Sequence, residues 1–250
     1  MGIDLNADMG ESFGMYKIGN DEEFMKYITS ANVACGFHAG DSSVMRKTVA
    51  WAKREGVQVG SHPGLPDLQG FGRREMNLSP EEVYDIVMYQ TGALKAFVEV
   101  AGMRLHHVKP HGSLYGMAHR REEIADAICR AVRDLDLRLY LYVMKKGVIG
   151  DIAARMAIRC IFELYADLGY DNQGNLVITR QHEAHKPGDV AARVVRMVKE
   201  GKVKSIDGSD ITIEGSSVCI HGDTPGSFDN VKAVRKGLEE AGCLLSSPAL

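Results

Sequence analysis

Short apolar, β-branched runs alternate along the chain with longer amphipathic stretches. Apolar runs of about four to eight residues suit buried strands, whereas helices need stretches of about ten or more. The predicted strands are 3–6, 32–35, 57–60, 105–108, 139–143, 161–163 and 218–220. The predicted helices are 21–31, 42–55, 80–101, 121–134, 148–157, 189–200 and 226–241. Strands that alternate with helices in this way form a parallel sheet covered by helices.

The number of β/α units indicates the topology. Seven units in 250 residues predict a barrel, complete or incomplete, and a doubly wound open sheet is the competing arrangement. No low-complexity tract or Pro/Ser-rich linker divides the chain, so we expect one domain over 1–250. Two long glycine-containing loops, 61–78 and 166–179, are candidate lids or surface excursions, and 202–216 predicts a hairpin.

The helix predicted at 80–101 has the clearest start, because Ser79 can cap it, Pro80 suits its first position and Glu82 completes a capping box. Its apolar face could pack against the barrel or form the interface of a homo-oligomer. That face contains Val83, Ile86, Val87, Leu94 and Phe97.

Polar side chains share one face of the first strand. Because side chains alternate along a strand, Asp4, Asn6 and Asp8 point to one side and the apolar residues to the other. Further polar residues follow the ends of later strands, beside glycines, where barrel enzymes place their active sites. These residues are His38, His62, His107, Lys109, His111, Glu163, Asp167, His221 and Asp223.

Composition and charge argue against several functional classes for this protein. The formal charge of −3 argues against a nucleic-acid platform. No apolar run is long enough to span a membrane, and the first residues lack the pattern of a signal peptide. The five cysteines are far apart and form no CxxC pair, so we expect mostly buried thiols in a reducing cytoplasm.

The strand-end residue types suit general acid–base chemistry or a divalent metal. The natural metal candidates are Asp8, His62 and His111, and Lys109 could stabilise an oxyanion or a phosphate, or simply pair with Asp4 or Asp8. Neither a GxxxxGK[ST] loop nor a GxGxxG turn after the first strand is present, so a nucleotide would bind in an unusual way or on a partner.

Several long motifs resemble those of the LamB/YcsF family, in family order and over nearly the whole chain. They are DLNADMGESFG (4–14), SANVACGFHAGD (30–41), VGSHPGLPDLQGFGRR (59–74), HVKPHGSLY (107–115), YADLGY (165–170) and VCIHGD (218–223). The resemblance implies an irregular seven-stranded (β/α) barrel of the glycoside hydrolase/deacetylase type. It also implies ATP-dependent opening of 5-oxoproline to L-glutamate, with Mg-bound ATP and with the B and C subunits of 5-oxoprolinase as partners.

On this hypothesis the residues take provisional roles. Asp8 or Glu11 would act as the base, His62 or His111 as the acid, and Lys109 would hold phosphate. The expected substrate-binding residues are Asp4, Asn6, His38, Asp41, His107, Glu163, Asp167, His221 and Asp223.

The chain departs from the family pattern where Leu168 replaces an arginine, which Arg180 could partly compensate. Two alternatives to the ATP-dependent amidohydrolase stay open. One is a stand-alone metal-dependent deacetylase-like hydrolase with Asp8, His62 and His111 as ligands. The other is a non-catalytic subunit that binds the substrate.

Overall fold

The computed structural model describes residues 2–177 and 185–250. Its strands are β1 (Asp4–Met9), β2 (Ser30–Ala34), β3 (Gln58–His62), β4 (Leu105–Val108), β5 (Tyr140–Val143), β6 (Arg159–Tyr165), β7 (Gly169–Tyr170), β8 (Leu176–Val177), β9 (Lys202–Lys204), β10 (Asp210–Thr212) and β11 (Ser217–His221). Its α-helices are α1 (Asp21–Phe24), α2 (Ser42–Glu55), α3 (Pro80–Val100), α4 (Gly112–Arg120), α5 (Glu122–Leu135), α6 (Val148–Arg155), α7 (Pro187–Glu200) and α8 (Ser227–Glu240).

Seven parallel strands close into a barrel in the order β1, β11, β6, β5, β4, β3, β2. The closure lies at β1, where Asp4 pairs with Ser217 of β11 and Asn6 pairs with Ser30 of β2. This confirms the predicted seven-stranded (β/α) barrel and excludes the open sheet. All seven predicted strands form barrel strands, and β4 has the predicted bounds.

The alternation predicted for the first strand separates two environments. Leu5, Ala7 and Met9 belong to the hydrophobic core, whereas Asp4 and Asp8 hydrogen-bond to residues of other strands across the barrel interior. Such buried polar groups are tolerated only when they find partners. The barrel therefore has an apolar exterior layer under the helices and a polar interior.

Helix α3 begins as predicted. The Ser79 hydroxyl accepts a hydrogen bond from the Glu82 backbone N–H, and the Glu82 carboxylate accepts one from the Ser79 backbone N–H. Val83, Val87 and Leu94 are fully buried in the hydrophobic core. These positions therefore pack inside this chain and are not available to a homo-oligomer interface.

Some expectations need correction. The helix predicted at 21–31 ends early, because a short 3-10 turn at Met25–Tyr27 leads directly into β2. Helix α4 was not predicted, and the loop at 166–177 contains the small β7–β8 hairpin. The predicted hairpin at 202–216 is present as the antiparallel pair β9–β10. Arg180 lies outside the described residues.

No helix in the described parts of the chain is both long enough and apolar enough to cross a membrane.

Candidate functional site

The deepest polar layer of the barrel interior is built around Asp4 and His107. The Asp4 carboxylate accepts hydrogen bonds from the hydroxyls of Thr29 (2.6 Å) and Tyr142 (3.1 Å). The His107 ring stacks on Tyr142, and its Nε2 lies 2.7 Å from Asn32 Oδ1. Neither Asp4 nor His107 lines the pocket at the barrel mouth. Both residues therefore support the layer above them.

That next layer centres on Lys109. Its Nζ lies 2.9 Å from Asp8 Oδ1 and 3.3 Å from Glu163 Oε1, and it donates to Cys219 Sγ at 2.9 Å. Burial alone would lower the pKa of Lys109, but the negative groups around it hold that pKa well above its usual value. Burial alone would raise the pKa of Asp8, but His62 and Lys109 hold it well below its usual range. The centre of the site is therefore a buried ion pair.

Two asparagines hold the carboxylates in place. Asn32 Nδ2 donates to Asn6 Oδ1 at 2.7 Å and to Asp8 Oδ1 at 2.9 Å. Asn6 Nδ2 donates to Glu163 Oε1 at 3.0 Å and to Ser217 Oγ at 2.7 Å. A fully bonded polar network of this kind fixes the rotamer of each member.

Three histidines and Glu11 form a second cluster beside the ion pair. His62 Nε2 lies 3.2 Å from Asp8 Oδ2 and 2.9 Å from His111 Nδ1. The His38 ring stacks on His111, with 3.6 Å between the ring centroids and 4° between the planes. Burial holds the pKa of His38 and that of His111 well below the usual value, and it raises the pKa of Glu11 well above the usual value. Burial therefore favours the neutral form of these two imidazoles and the protonated form of Glu11.

A cationic histidine faces Asp8 from the opposite side. His221 Nδ1 lies 2.9 Å from Asp167 Oδ1, and the His221 backbone N–H donates to Asp167 Oδ2 at 3.0 Å. Burial alone would lower the pKa of His221, but the Asp167 carboxylate raises it to about 8. His221 Nε2 lies 3.8 Å from Asp8 Oδ2. The imidazolium is therefore the main form at neutral pH.

These groups surround a narrow pocket at the carboxyl ends of the strands. Its volume is about 50 Å³, which is room for a few water molecules. Arg73 sits at its edge, where the guanidinium donates to Asp223 at 2.8 Å, and Leu168 supplies an apolar wall. A larger cavity of about 360 Å³ lies at the other end of the barrel, away from these side chains. The pocket lining is Asp8, His62, Arg73, Lys109, Pro110, His111, Gly112, Tyr115, Tyr165, Leu168, Leu176 and His221.

Most of the site residues expected from the sequence lie at or beside the pocket, and Asp41 does not. It brings together at or beside the pocket Asn6, Asp8, Glu11, His38, His62, Lys109, His111, Glu163, Asp167, His221 and Asp223. Asp41 instead caps helix α2, because its carboxylate accepts from the backbone N–H groups of Ser43, Val44 and Gly14.

Four further residues belong to the site although the sequence did not single them out as site residues. Arg73, Asn32 and Tyr165 supply polar groups, and Cys219, which the sequence indicated only as one of several buried thiols, contacts Lys109. Arg73 lies within the glycine-rich stretch 59–74 that carries part of the family resemblance. That stretch was the signal that could have pointed to it.

Comparisons with known proteins agree with this geometry. The model of the LamB/YcsF family matches residues 3–249. The A subunit of 5-oxoprolinase from Bacillus licheniformis is 48% identical over 241 residues, which covers 96% of this chain and 95% of that protein. The protein of the same name from Pyrococcus horikoshii is 48% identical over 244 residues, covering 97% and 96%.

Solved structures with the same barrel fold are also similar to this chain. A "lactam utilization protein" of Thermus thermophilus superposes with a TM-score of 0.93 at 44% identity, covering 99% of this chain and 100% of that one. A family 4 carbohydrate esterase of Streptomyces lividans superposes with a TM-score of 0.52 at 10% identity, covering 99% and 93%. The second likeness concerns the fold alone and places the barrel with those of the deacetylase type.

Proposed function

This chain belongs to the LamB/YcsF family, and from that premise we propose that it cleaves 5-oxoproline to L-glutamate in an ATP-dependent reaction, as the A component of a complex with the B and C subunits of 5-oxoprolinase. The names of its relatives and the lactam utilization described for the Thermus thermophilus protein support this substrate class. The observation that carries the proposal is a pocket lined by both an ionised carboxylate, Asp8, and a protonated imidazole, His221.

The chemistry requires activation of the substrate. A lactam is a poor electrophile, because resonance delocalises the nitrogen lone pair into the carbonyl. Transfer of the γ-phosphoryl group of ATP to the carbonyl oxygen would remove that protection. Water then adds to the ring carbon, the C–N bond breaks as the nitrogen takes up a proton, and a second water hydrolyses the resulting acyl phosphate to glutamate and phosphate.

The residues of the pocket suit these steps. The imidazolium of His221 can donate a proton to the departing nitrogen, since its pKa of about 8 lies near the working pH. Arg73 at the edge offers a guanidinium for the substrate carboxylate or for phosphate oxygens. Lys109 and Asn32 fix Asp8 through Oδ1, and Oδ2, which also lies 3.2 Å from His62 Nε2, can orient the attacking water. This arrangement favours His221 as the acid over His62 or His111, the two histidines that the sequence suggested for that role.

We place most of the nucleotide outside this chain. Lys109 already contacts Asp8, Glu163 and Cys219, so a phosphate could bind to it only by displacing one of them. The pocket of about 50 Å³ is far too small for a nucleotide. Mg-bound ATP would therefore reach the pocket from its open side, near Arg73, while a partner protein holds the base and ribose.

The test is reconstitution of the complex from this chain and co-expressed B and C subunits. We expect glutamate and phosphate to be released from 5-oxoproline and ATP, and we expect neither glutamate nor coupled phosphate when this chain is omitted. His221→Asn should lower glutamate release by about 100-fold, because it removes the acid. His119→Gln, which changes a histidine on α4 outside the pocket lining, is the matched control.

Two results would contradict the proposal. Equal glutamate release with and without this chain would place the reaction on the other subunits. Weaker binding of 5-oxoproline by His221→Asn, with unchanged turnover at saturating substrate, would instead support a role in which the chain only binds and delivers the substrate.

A further inference from the structure

The hydrogen bonds of two buried histidines determine which of their nitrogens carry protons. His62 Nδ1 lies 2.7 Å from the backbone carbonyl of Lys109, and His111 Nε2 lies 2.8 Å from that of Phe71. A carbonyl oxygen can only accept a hydrogen bond, so both of these ring nitrogens are N–H donors. The opposite nitrogens, His62 Nε2 and His111 Nδ1, are therefore the ones that can bind a proton or a metal ion.

Those two nitrogens face each other at 2.9 Å, and His62 Nε2 also lies 3.2 Å from Asp8 Oδ2. Two acceptors at that distance repel each other unless a proton or a cation lies between them. Each ring is held in this orientation by its carbonyl partner, which is how metal-binding histidines are commonly oriented.

Buried polar atoms of two further side chains in this cluster have no hydrogen-bond partner. Glu11 Oε1 and both ring nitrogens of His38 lack a hydrogen bond, although Glu11 Oε1 lies 3.4 Å from His38 Nε2. Glu11 is 4% exposed and His38 is 1% exposed, so bulk water does not satisfy them. Buried polar groups are rarely left unpaired in proteins, and an ion is one common reason when they are.

We propose that Glu11, His38, His62 and His111 bind one divalent transition-metal ion of the Zn²⁺ type. One ligand atom from each of the four residues lies within 4.8 Å of the others. Ligand atoms of a tetrahedral site with bonds of about 2.1 Å lie roughly 3.4 Å apart, so the side chains would draw closer together around a bound ion. Imidazole nitrogens with one carboxylate oxygen suit zinc and its neighbours in the first transition row.

Backbone packing keeps the cluster compact. At Gly72, where φ is +63°, an added Cβ would lie 2.7 Å from His38 Cβ and 2.9 Å from His111 Cδ2. The close approach of this glycine leaves the two stacked rings little freedom to turn away. The donor set differs from the one expected from the sequence, because the ligand atoms that lie together belong to Glu11, His38, His62 and His111, whereas Asp8 Oδ1 is bonded to Lys109 and Asn32.

The experiment measures binding to the full chain, so its outcome does not depend on the proposed 5-oxoprolinase activity. Chelator-treated protein is titrated with Zn²⁺ by calorimetry and with Co²⁺ by visible absorption. We expect one ion per chain. His62→Gln should weaken binding by at least about 100-fold and Glu11→Gln by at least about tenfold, whereas His119→Gln should bind as the unchanged chain does.

The Glu11→Gln variant keeps the size of the side chain, so a loss of metal binding by this variant can be distinguished from a loss of folding. Circular dichroism verifies its fold, and thermal unfolding with Zn²⁺ should show stabilisation of the unchanged chain and little of the variant. Absence of saturable binding by the unchanged chain would overturn the proposal. So would equal binding by all variants, or a nitrogen-15 spectrum showing a proton shared between His62 Nε2 and His111 Nδ1 that Zn²⁺ does not displace.

Discussion

Replacing Lys109 by methionine would leave two buried carboxylates, those of Asp8 and Glu163, without the ammonium group that they share. The Lys109 side chain is 3% exposed and lies 2.9 Å and 3.3 Å from the two carboxylates. Removing one partner of a buried ion pair costs about 3–5 kcal/mol, because the remaining charge is neither solvated nor paired. For a chain of this size each 1 kcal/mol lowers the melting temperature by roughly 2–4 °C. We therefore expect Lys109→Met to melt roughly 6–20 °C lower at pH 7.

A double substitution separates this electrostatic effect from a simple loss of packing. Glu163→Gln removes one of the two carboxylates while keeping its size and its contact with Asn6. If charge is the cause, Lys109→Met combined with Glu163→Gln should be more stable than the sum of the single effects by about 1–3 kcal/mol. Scanning calorimetry of the four proteins provides the measurement.

The pH dependence gives an independent check. In the unchanged chain Lys109 and His62 hold the pKa of Asp8 well below its usual value, so the stability from Asp8 is present above about pH 4 and is lost as the pH falls through that lowered pKa. Without Lys109 the carboxyls bind protons more readily, and the deficit of the variant should shrink in acid. A melting temperature within about 2 °C of the unchanged chain at pH 7, or strictly additive effects in the double variant, would refute this reasoning.

Three further predictions concern other parts of the barrel. In urea unfolding, Asp21→Asn should raise the free energy of unfolding by about 2 kcal/mol at pH 7 and leave it unchanged at pH 4. Burial raises the pKa of this half-buried carboxyl to about 6, so its ionisation destabilises the fold as the pH rises from 4 to 6. Asp41→Ala should cost about 1 kcal/mol by loss of the α2 cap, with recovery in Asp41→Ser and an unchanged KM for 5-oxoproline in the complex. Gly60→Ala should lower stability by about 1–3 kcal/mol in the same assay, because its Cβ would overlap the ring of His107, and an unchanged midpoint would contradict this packing.

The periodicity of the sequence was sufficient to predict the barrel, because strands and helices differ in length and repeat. Helix α2 and strand β4 have the predicted bounds. Helix α4 was missed because it starts at Gly112, has no side-chain cap and contains Gly116, so the usual start signals are absent. The β7–β8 hairpin has only two residues in each strand and no detectable alternation.

Alternation also predicted the inward face of β1, but it could not choose among partners. Lys109 was expected to pair with Asp4 or Asp8, and the structure shows the pair with Asp8. Asp4 lies four residues earlier on the same strand, roughly 13 Å away along the strand at about 3.3 Å per residue, and therefore deeper in the barrel. The depth of a side chain depends on the stagger between strands, and that stagger is set by closure of the barrel.

Arg73 and Cys219 also have partners that the sequence pattern could not identify. Arg73 lies in an irregular loop without periodicity, and its partner Asp223 is 150 residues away in sequence. Cys219 lies in the middle of β11, where an apolar reading is natural until Lys109 is placed across from it. Both contacts arise only when the barrel closes. The residue types alone indicated that the pocket carries acid–base groups. Which of these groups are charged and which are neutral depends on the contacts that the fold creates. The cation His221 lies on one side of Asp8 and the cluster of Glu11, His38, His62 and His111 on the other, and this division is why we assign proton donation to His221 and a metal ion to the cluster.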